Sequence, residues 1–134
     1  MMSERRGSVG MPAYVLLHEF GSLVLDAFGN DDHFGIYQVG SSLTSKTWRD
    51  VDVRLMLSDE AYQRYELGDP NHPHMNARWW ALVRAFACMG REMTGLPIDF
   101  QIQEQTYANL KFPSPEHGRN ALGMVPWRFK QPAA

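Results

Sequence analysis

Two short segments of this chain alternate strictly between polar and apolar residues, and a longer segment between them repeats with the period of a helix. In the first, Asp50 to Leu57, valine or leucine occupies every second position until the end. In the second, Pro97 to Gln103, the apolar positions are Ile98, Phe100 and Ile102. Strict alternation is typical of a strand with one buried face. The chain therefore contains two strands that each leave a polar face toward solvent or a ligand.

Helical periodicity appears before and between these strands. Apolar residues recur at three- and four-residue steps from Ala13 to Phe28 and again from about Met75 to Met93, which predicts two amphipathic helices. A shorter helix is predicted from Ser58 to Tyr65 and a further strand from Gly35 to Val39. This order predicts a small α+β (or α/β) fold, a mixed β-sheet with helices packed on one face.

Length and composition set the limits of this fold. The 134 residues are 44% hydrophobic and 21% charged, which predicts one globular domain, residues 1–134. From about residue 107 onward four prolines interrupt any period, so an irregular C-terminal tail is expected. A lone cysteine, Cys88, lies in an apolar stretch of the long helix and is predicted to be a buried, reduced thiol.

Charge and hydropathy narrow the possible partners. The formal net charge is -2, so no global positive field attracts the protein to nucleic acid or to an anionic membrane. No uninterrupted apolar run has the length of a membrane span. We therefore expect a cytoplasmic protein with no membrane partner.

Three carboxylates stand on the polar faces of the two alternating strands. Asp50 and Asp52 are two residues apart and project the same way, roughly 7 Å apart, and Asp99 occupies the polar face of the later strand. Clustered carboxylates repel one another unless a cation neutralises them, and hard oxygen ligands select Mg²⁺ or Mn²⁺. The pattern therefore predicts a metal site formed by Asp50, Asp52 and Asp99.

These residues belong to a longer pattern. Val39-Gly40-Ser41 is followed after eight residues by Asp50-Val51-Asp52-Val53, and later by Ile98-Asp99-Phe100. The order resembles the DNA polymerase beta-type nucleotidyltransferase superfamily, which has a Gly-Ser turn, an acidic-hydrophobic-acidic strand and a third acid on a later strand. The resemblance covers about Ile36 to Gln103, and the short chain is similar to minimal nucleotidyltransferases that lack a helical companion domain.

The resemblance implies a nucleotidyltransferase fold and a reaction. A nucleoside monophosphate would pass from a nucleoside triphosphate to a hydroxyl of an unknown acceptor, which is a protein, an RNA or a small molecule. Asp50 and Asp52 would bridge two metal ions, and Asp99 would bind the metal nearer the acceptor and help to remove its proton. Gly40, Ser41 and Ser42 would hold the β- and γ-phosphates.

Basic residues near the pattern are candidates for phosphate contacts. Lys46 and Arg49 lie in the loop before Asp50 and would be near the triphosphate in such a fold. Arg54 stands where the superfamily usually has an apolar residue, on the same face as Asp52. Its guanidinium is expected either to grip a phosphate or to pair with an aspartate.

Two alternatives remain open at this point. The first is a catalytically degenerate nucleotidyltransferase-fold module that binds a protein partner, as antitoxin-like relatives do, or a second copy of the chain. Arg54 favours this reading because its charge would replace that of a metal. The second is an interaction protein with an accidental pattern, which requires the three carboxylates to be far apart. His72 and His74 are interpreted as loop residues, and Trp79 and Trp80 as core and helix rim.

Overall fold

The computed structural model describes residues 5–6, 9–44, 47–114 and 116–123, and they form an α+β fold. The helices are α1 (Ala13–Ala27), α2 (Ser41–Thr44), α3 (Asp59–Arg64), α4 (Ala77–Thr94) and α5 (Gln105–Lys111). The strands are β1 (Arg5–Arg6), β2 (His33–Val39), β3 (Thr47–Trp48), β4 (Val51–Leu57), β5 (Ile98–Glu104) and β6 (Asn120–Ala121). A 3₁₀ turn, Pro73–Met75, precedes α4.

The main sheet has the strand order β5-β4-β2-β6. β4 and β5 are parallel, whereas β2 is antiparallel to both β4 and β6. β1 and β3 form a separate antiparallel pair. Because parallel neighbours require a long crossover, α3 and α4 connect β4 to β5. The mixed sheet predicted from the alternating segments is confirmed.

α1 and α4 cover one face of this sheet, where the hydrophobic core lies. The apolar residues of both alternating segments point to it, and each is at most 2% exposed; they are Val51, Val53, Leu55, Leu57, Ile98, Phe100 and Ile102. Trp79 is buried on α4 and its indole N–H donates to the Ile102 carbonyl at 2.9 Å, whereas Trp80 reaches the surface. The assignment of these tryptophans to core and rim is confirmed.

Capping interactions define the ends of the helices that cross between β4 and β5. The Ser58 hydroxyl accepts a hydrogen bond from the Ala61 amide at 3.1 Å, and the Asn76 side chain accepts one from the Trp79 amide at 2.8 Å. Gly95 ends α4 with φ of 71°, a left-handed conformation that glycine adopts without strain. These caps fix where α4 delivers the chain into β5.

Two local predictions were wrong. The C-terminal segment is not irregular from residue 107, because α5 continues to Lys111 and β6 pairs with β2. α5 is short and has a single buried residue, Ala108, so its sequence shows no apolar stripe.

Cys88 is exposed. One residue of helix turns about 100°, so Cys88 points away from the core although its neighbour Ala87 is buried.

Within the portions of the chain described above, no helix combines the length and apolar character that crossing a bilayer requires.

Candidate active site

The polar face of the sheet brings two of the three predicted carboxylates together. Asp52 of β4 and Asp99 of β5 are direct partners in the parallel register, so their side chains project from the same face of adjacent strands. The Asp52 side chain is 25% exposed and that of Asp99 is 44% exposed. The site therefore has one half-buried carboxylate beside a more open one.

Arg54 occupies the space next to this pair. Its Nη1 donates to the Asp99 carbonyl oxygen at 2.7 Å and to the Val53 carbonyl oxygen at 3.1 Å. The guanidinium also lies 3.8 Å from Asp99 Oδ1 and 4.0 Å from Asp52 Oδ1, with only 14% of the side chain exposed. The short bonds are to backbone carbonyls, so Arg54 is anchored to the strands and faces the carboxylates from a fixed position.

Burial dominates the electrostatics of Asp52. It raises the pKa of the Asp52 carboxyl above 3.8, and the Asp99 and Asp50 charges raise this pKa further, although Arg54 opposes the shift. Burial likewise lowers the pKa of Arg54, against the two aspartates that raise it. A guanidinium keeps its charge in proteins, so the cluster contains a fixed positive charge that only partly compensates Asp52.

The turn after β2 places backbone directly against Asp52. Val39 is the register partner of Asp52, and Gly40 follows with φ of 76°. A Cβ built at position 40 overlaps Asp52 Oδ2 and lies 3.2 Å from Asp52 Cγ. Glycine is thus required here both for the left-handed backbone and for the space that the carboxylate occupies.

The two serines of the turn have different environments. Ser41, the first residue of α2, is exposed, whereas Ser42 is fully buried and its hydroxyl accepts a hydrogen bond from Gln38 Nε2 at 3.1 Å. The side-chain oxygen Oε1 of Gln38 in turn accepts from Asn120 Nδ2 at 3.2 Å, which ties the turn to β6. Ser42 therefore stabilises the turn, and Ser41 is the serine whose side chain reaches solvent.

The remaining predicted residues lie farther out. Asp50 is exposed just before β4, yet its charge still acts on Asp52. Among the described residues, no three His, Cys, Asp or Glu side chains are grouped so that they would hold a metal ion. Arg49 is exposed, and Lys46 lies outside the described residues.

Asp52 and Asp99 nevertheless fit a magnesium site in which the substrate supplies some of the ligands. Mg²⁺ in phosphate-transfer sites is usually held by one or two carboxylates, with waters and substrate phosphates as the other ligands. Asp52 and Asp99 supply such a pair of oxygen donors from neighbouring positions on adjacent strands. These two residues would hold the ion, and Asp50 would have to turn inward to join them.

A pocket of about 430 Å³ begins at this cluster and extends along the same face of the sheet. Its floor consists of polar-face residues of β4 and β5, namely Asp52, Arg54, Met56, Gln101 and Gln103. Its walls come from the β2–α2 turn on one side and from α5, Phe112 and residues 116–119 on the other; among them are Gly40, Leu43, Tyr107, Glu116, His117 and Arg119. α5 thus borders the sheet face opposite to α1 and α4.

Sequence reasoning did not find the α5 wall of this pocket. Arg119 secures it by donating to the Phe112 carbonyl at 3.1 Å and to the Asn109 side chain at 3.0 Å. The alternation of Gln101 and Gln103 with apolar residues was the only available signal, since it placed both amides on the face that carries Asp99.

Comparison of the chain with protein-family models, with curated proteins and with solved structures finds no significant match. The interpretation of the site therefore depends on its own geometry and chemistry.

Proposed function

We propose that the protein is a metal-dependent nucleotidyltransferase that moves a nucleoside monophosphate from a nucleoside triphosphate to a hydroxyl acceptor, with release of pyrophosphate. The observation that carries the proposal is the register pairing of Asp52 with Asp99 beside the Gly40 turn. Two carboxylates from parallel strands, next to backbone that approaches closely, suit a site for a divalent cation and a polyphosphate.

Each residue has a role in this proposal. When bound, Mg²⁺ or Mn²⁺ would neutralise phosphate charge and polarise the α-phosphate toward in-line attack. Asp52 and Asp99 would ligate the cation, with Asp50 completing the ligand set, and Asp99, the more exposed of the pair, would accept the proton of the acceptor hydroxyl. Gly40 leaves room for the Asp52 carboxylate, Ser41 would donate its exposed hydroxyl to a phosphate, and the guanidinium of Arg54 would balance negative charge in the site.

The proposal extends to partners and location. The acceptor hydroxyl belongs to a protein, an RNA or a small molecule, and the net charge of -2 favours an acceptor bound through local contacts over one held by a global positive field. We also propose that the protein is cytoplasmic.

A second function is favoured by the position of Arg54. Its guanidinium lies 3.8 Å and 4.0 Å from the two carboxylates and so already supplies a cation where a metal would bind. In that case the same fold would be a non-catalytic module that binds a protein partner or a second copy of the chain. The two functions differ in whether a divalent cation binds at Asp52 and Asp99.

The test combines binding and transfer. The protein is melted with each ribonucleoside triphosphate at millimolar concentration, with and without Mg²⁺ or Mn²⁺. A ligand at 100 times its Kd stabilises the folded state by about 2.7 kcal/mol. In parallel, each α-labelled triphosphate is incubated with metal and cell extract, and the label is followed into protein, RNA and small molecules. Stabilisation that requires metal and is lost in Asp99→Asn, together with labelled acceptor, supports the enzyme. No shift and no labelling support the binding module.

A further inference from the structure

The pocket changes character along its length. At one end it meets Asp52 and Gly40, where the proposed phosphates would lie, and at the other its floor is Met56 and Gln103 under the wall from Tyr107. Arg54 separates the two ends. A nucleotide whose phosphates lie at the Asp52 end would therefore extend its other end toward Met56 and Gln103.

Gln103 supplies the most specific feature of the far end. It is only 8% exposed and lines the pocket. Across the described residues, neither its amide nor that of Gln101 has a hydrogen-bond partner in the protein. Both amides line the pocket, and each offers donors and an acceptor side by side to a molecule that enters it. Two such amides on the floor of the pocket can form hydrogen bonds with a ligand whose edge also alternates donors and acceptors.

The wall beside these amides is aromatic. The rings of Tyr107 and Phe112 meet edge to face with centroids 6.3 Å apart, and Phe112 meets His117 in the same way at 5.6 Å. Met56 adds a polarisable thioether to the floor. Aromatic side chains that line a pocket suit a planar ligand, because stacking on an aromatic side chain contributes to the affinity for every base.

We propose that the end of the pocket between Gln103 and Tyr107 binds the nucleobase of the nucleotide whose phosphates lie at Asp52 and Gly40. A nucleobase is planar and presents donors and acceptors on one edge, as glutamine recognition of bases requires. The volume of about 430 Å³ lies within the usual range for small-ligand sites. A lipid-like tail would offer no hydrogen-bond partner to the amides of Gln101 and Gln103. The inference rests on the proposed function for its phosphate end only.

The test uses nucleosides, which carry no phosphate and need no metal. Adenosine, guanosine, cytidine and uridine are each titrated into the full chain by calorimetry or saturation-transfer NMR. We expect at least one to bind, and Gln103→Met to weaken it about tenfold, since the variant keeps the length of the side chain and removes both polar groups. Tyr107→Leu should weaken the same nucleoside by a similar factor. Gln63→Leu, an exposed position on α3 outside the pocket, is the matched control and should bind as the wild type does.

A second probe separates this inference from the proposed function. Tripolyphosphate with Mg²⁺ tests only the carboxylate end, and its binding should be lost in Asp52→Asn and kept in Gln103→Met. If tripolyphosphate and all four triphosphates bind equally while no nucleoside binds, the base pocket is wrong and the transferase proposal stands. Nucleoside binding that Gln103→Met leaves unchanged also overturns the base pocket. Nucleoside binding without any metal-dependent phosphate binding supports the pocket and counts against the transferase.

Discussion

Replacing Gly40 by alanine tests whether the close approach of backbone to Asp52 matters for the site. The new Cβ would overlap Asp52 Oδ2, so the carboxylate must rotate away from its position beside Asp99. The backbone at position 40 has φ of 76°, and a residue with a Cβ costs roughly 1–2 kcal/mol in this conformation. Displacing Asp52 from its rotamer adds about 1 kcal/mol. We expect Gly40→Ala to lower the unfolding free energy by about 2–3 kcal/mol.

Gly95 provides a matched control for the backbone contribution. Its φ is 71°, and within the described residues nothing lies within 4 Å of a Cβ built there. Gly95→Ala therefore incurs the left-handed backbone cost of about 1–2 kcal/mol without displacing any side chain. A loss of 1 kcal/mol corresponds to roughly 4 °C in the melting temperature of a domain of this size. Denaturant titration of both variants gives the two free energies directly.

Ligand binding then separates the variants. Gly95→Ala should keep the full stabilisation by Mg²⁺ and tripolyphosphate, because it leaves Asp52 in place. Gly40→Ala should lose most of it, because the rotated carboxylate no longer faces the cation beside Asp99. If Gly40→Ala shows the same ligand-dependent rise in melting temperature as Gly95→Ala, the close approach of Gly40 to Asp52 has no functional meaning and the assignment of this turn is wrong.

Two further substitutions test the charges of the cluster. The raised pKa of Asp52 means that its ionisation costs stability as pH rises above 3.8 toward the folded-state pKa. Asp52→Asn should therefore melt higher than wild type at pH 7 and equally at pH 3, while abolishing transfer; a lower melting temperature at pH 7 would mean that the Arg54 pair dominates. Arg54→Met removes the charge-assisted bonds to two carbonyls and should cost about 2 kcal/mol. Mg²⁺ alone should restore more stability to this variant than to wild type, and equal responses would contradict a shared cation position for Arg54 and metal.

The strands and long helices were predictable because their periods are unbroken. β4 alternates Val51 and Val53 with Asp52 and Arg54, and in the structure the valines are fully buried while the polar residues face the pocket. The alternation alone predicts that Asp52 and Asp99 lie on the polar face of the sheet. It does not predict that β4 and β5 are neighbours, because the same alternation is compatible with two strands separated by another strand. The parallel register that joins them is a property of the crossover.

Other parts of the site left no pattern in the sequence. Arg54 makes its shortest hydrogen bond to a carbonyl of β5. The spacing of residues within β4 does not predict this contact. Ser42 belongs to the Gly-Ser-Ser sequence yet is buried against Gln38, because a short helix turns it inward. Cys88 was assigned to the core from its apolar neighbours, whereas on a helix the direction of each side chain decides burial. Such contacts depend on tertiary packing and not on local periodicity.

The crossover between β4 and β5 also affects how the site forms during synthesis. Arg54 and the Asp99 carbonyl that it contacts are 45 residues apart in the chain, and parallel strands can pair only once the crossover between them has been synthesised. A nascent chain that ends before β5 presents Asp50 and Asp52 without Asp99, and one edge of β4 lacks a partner. The carboxylate pair is therefore complete only once β5 has emerged from the ribosome. A nascent chain truncated before β5 should not bind Mg²⁺ and polyphosphate at this site.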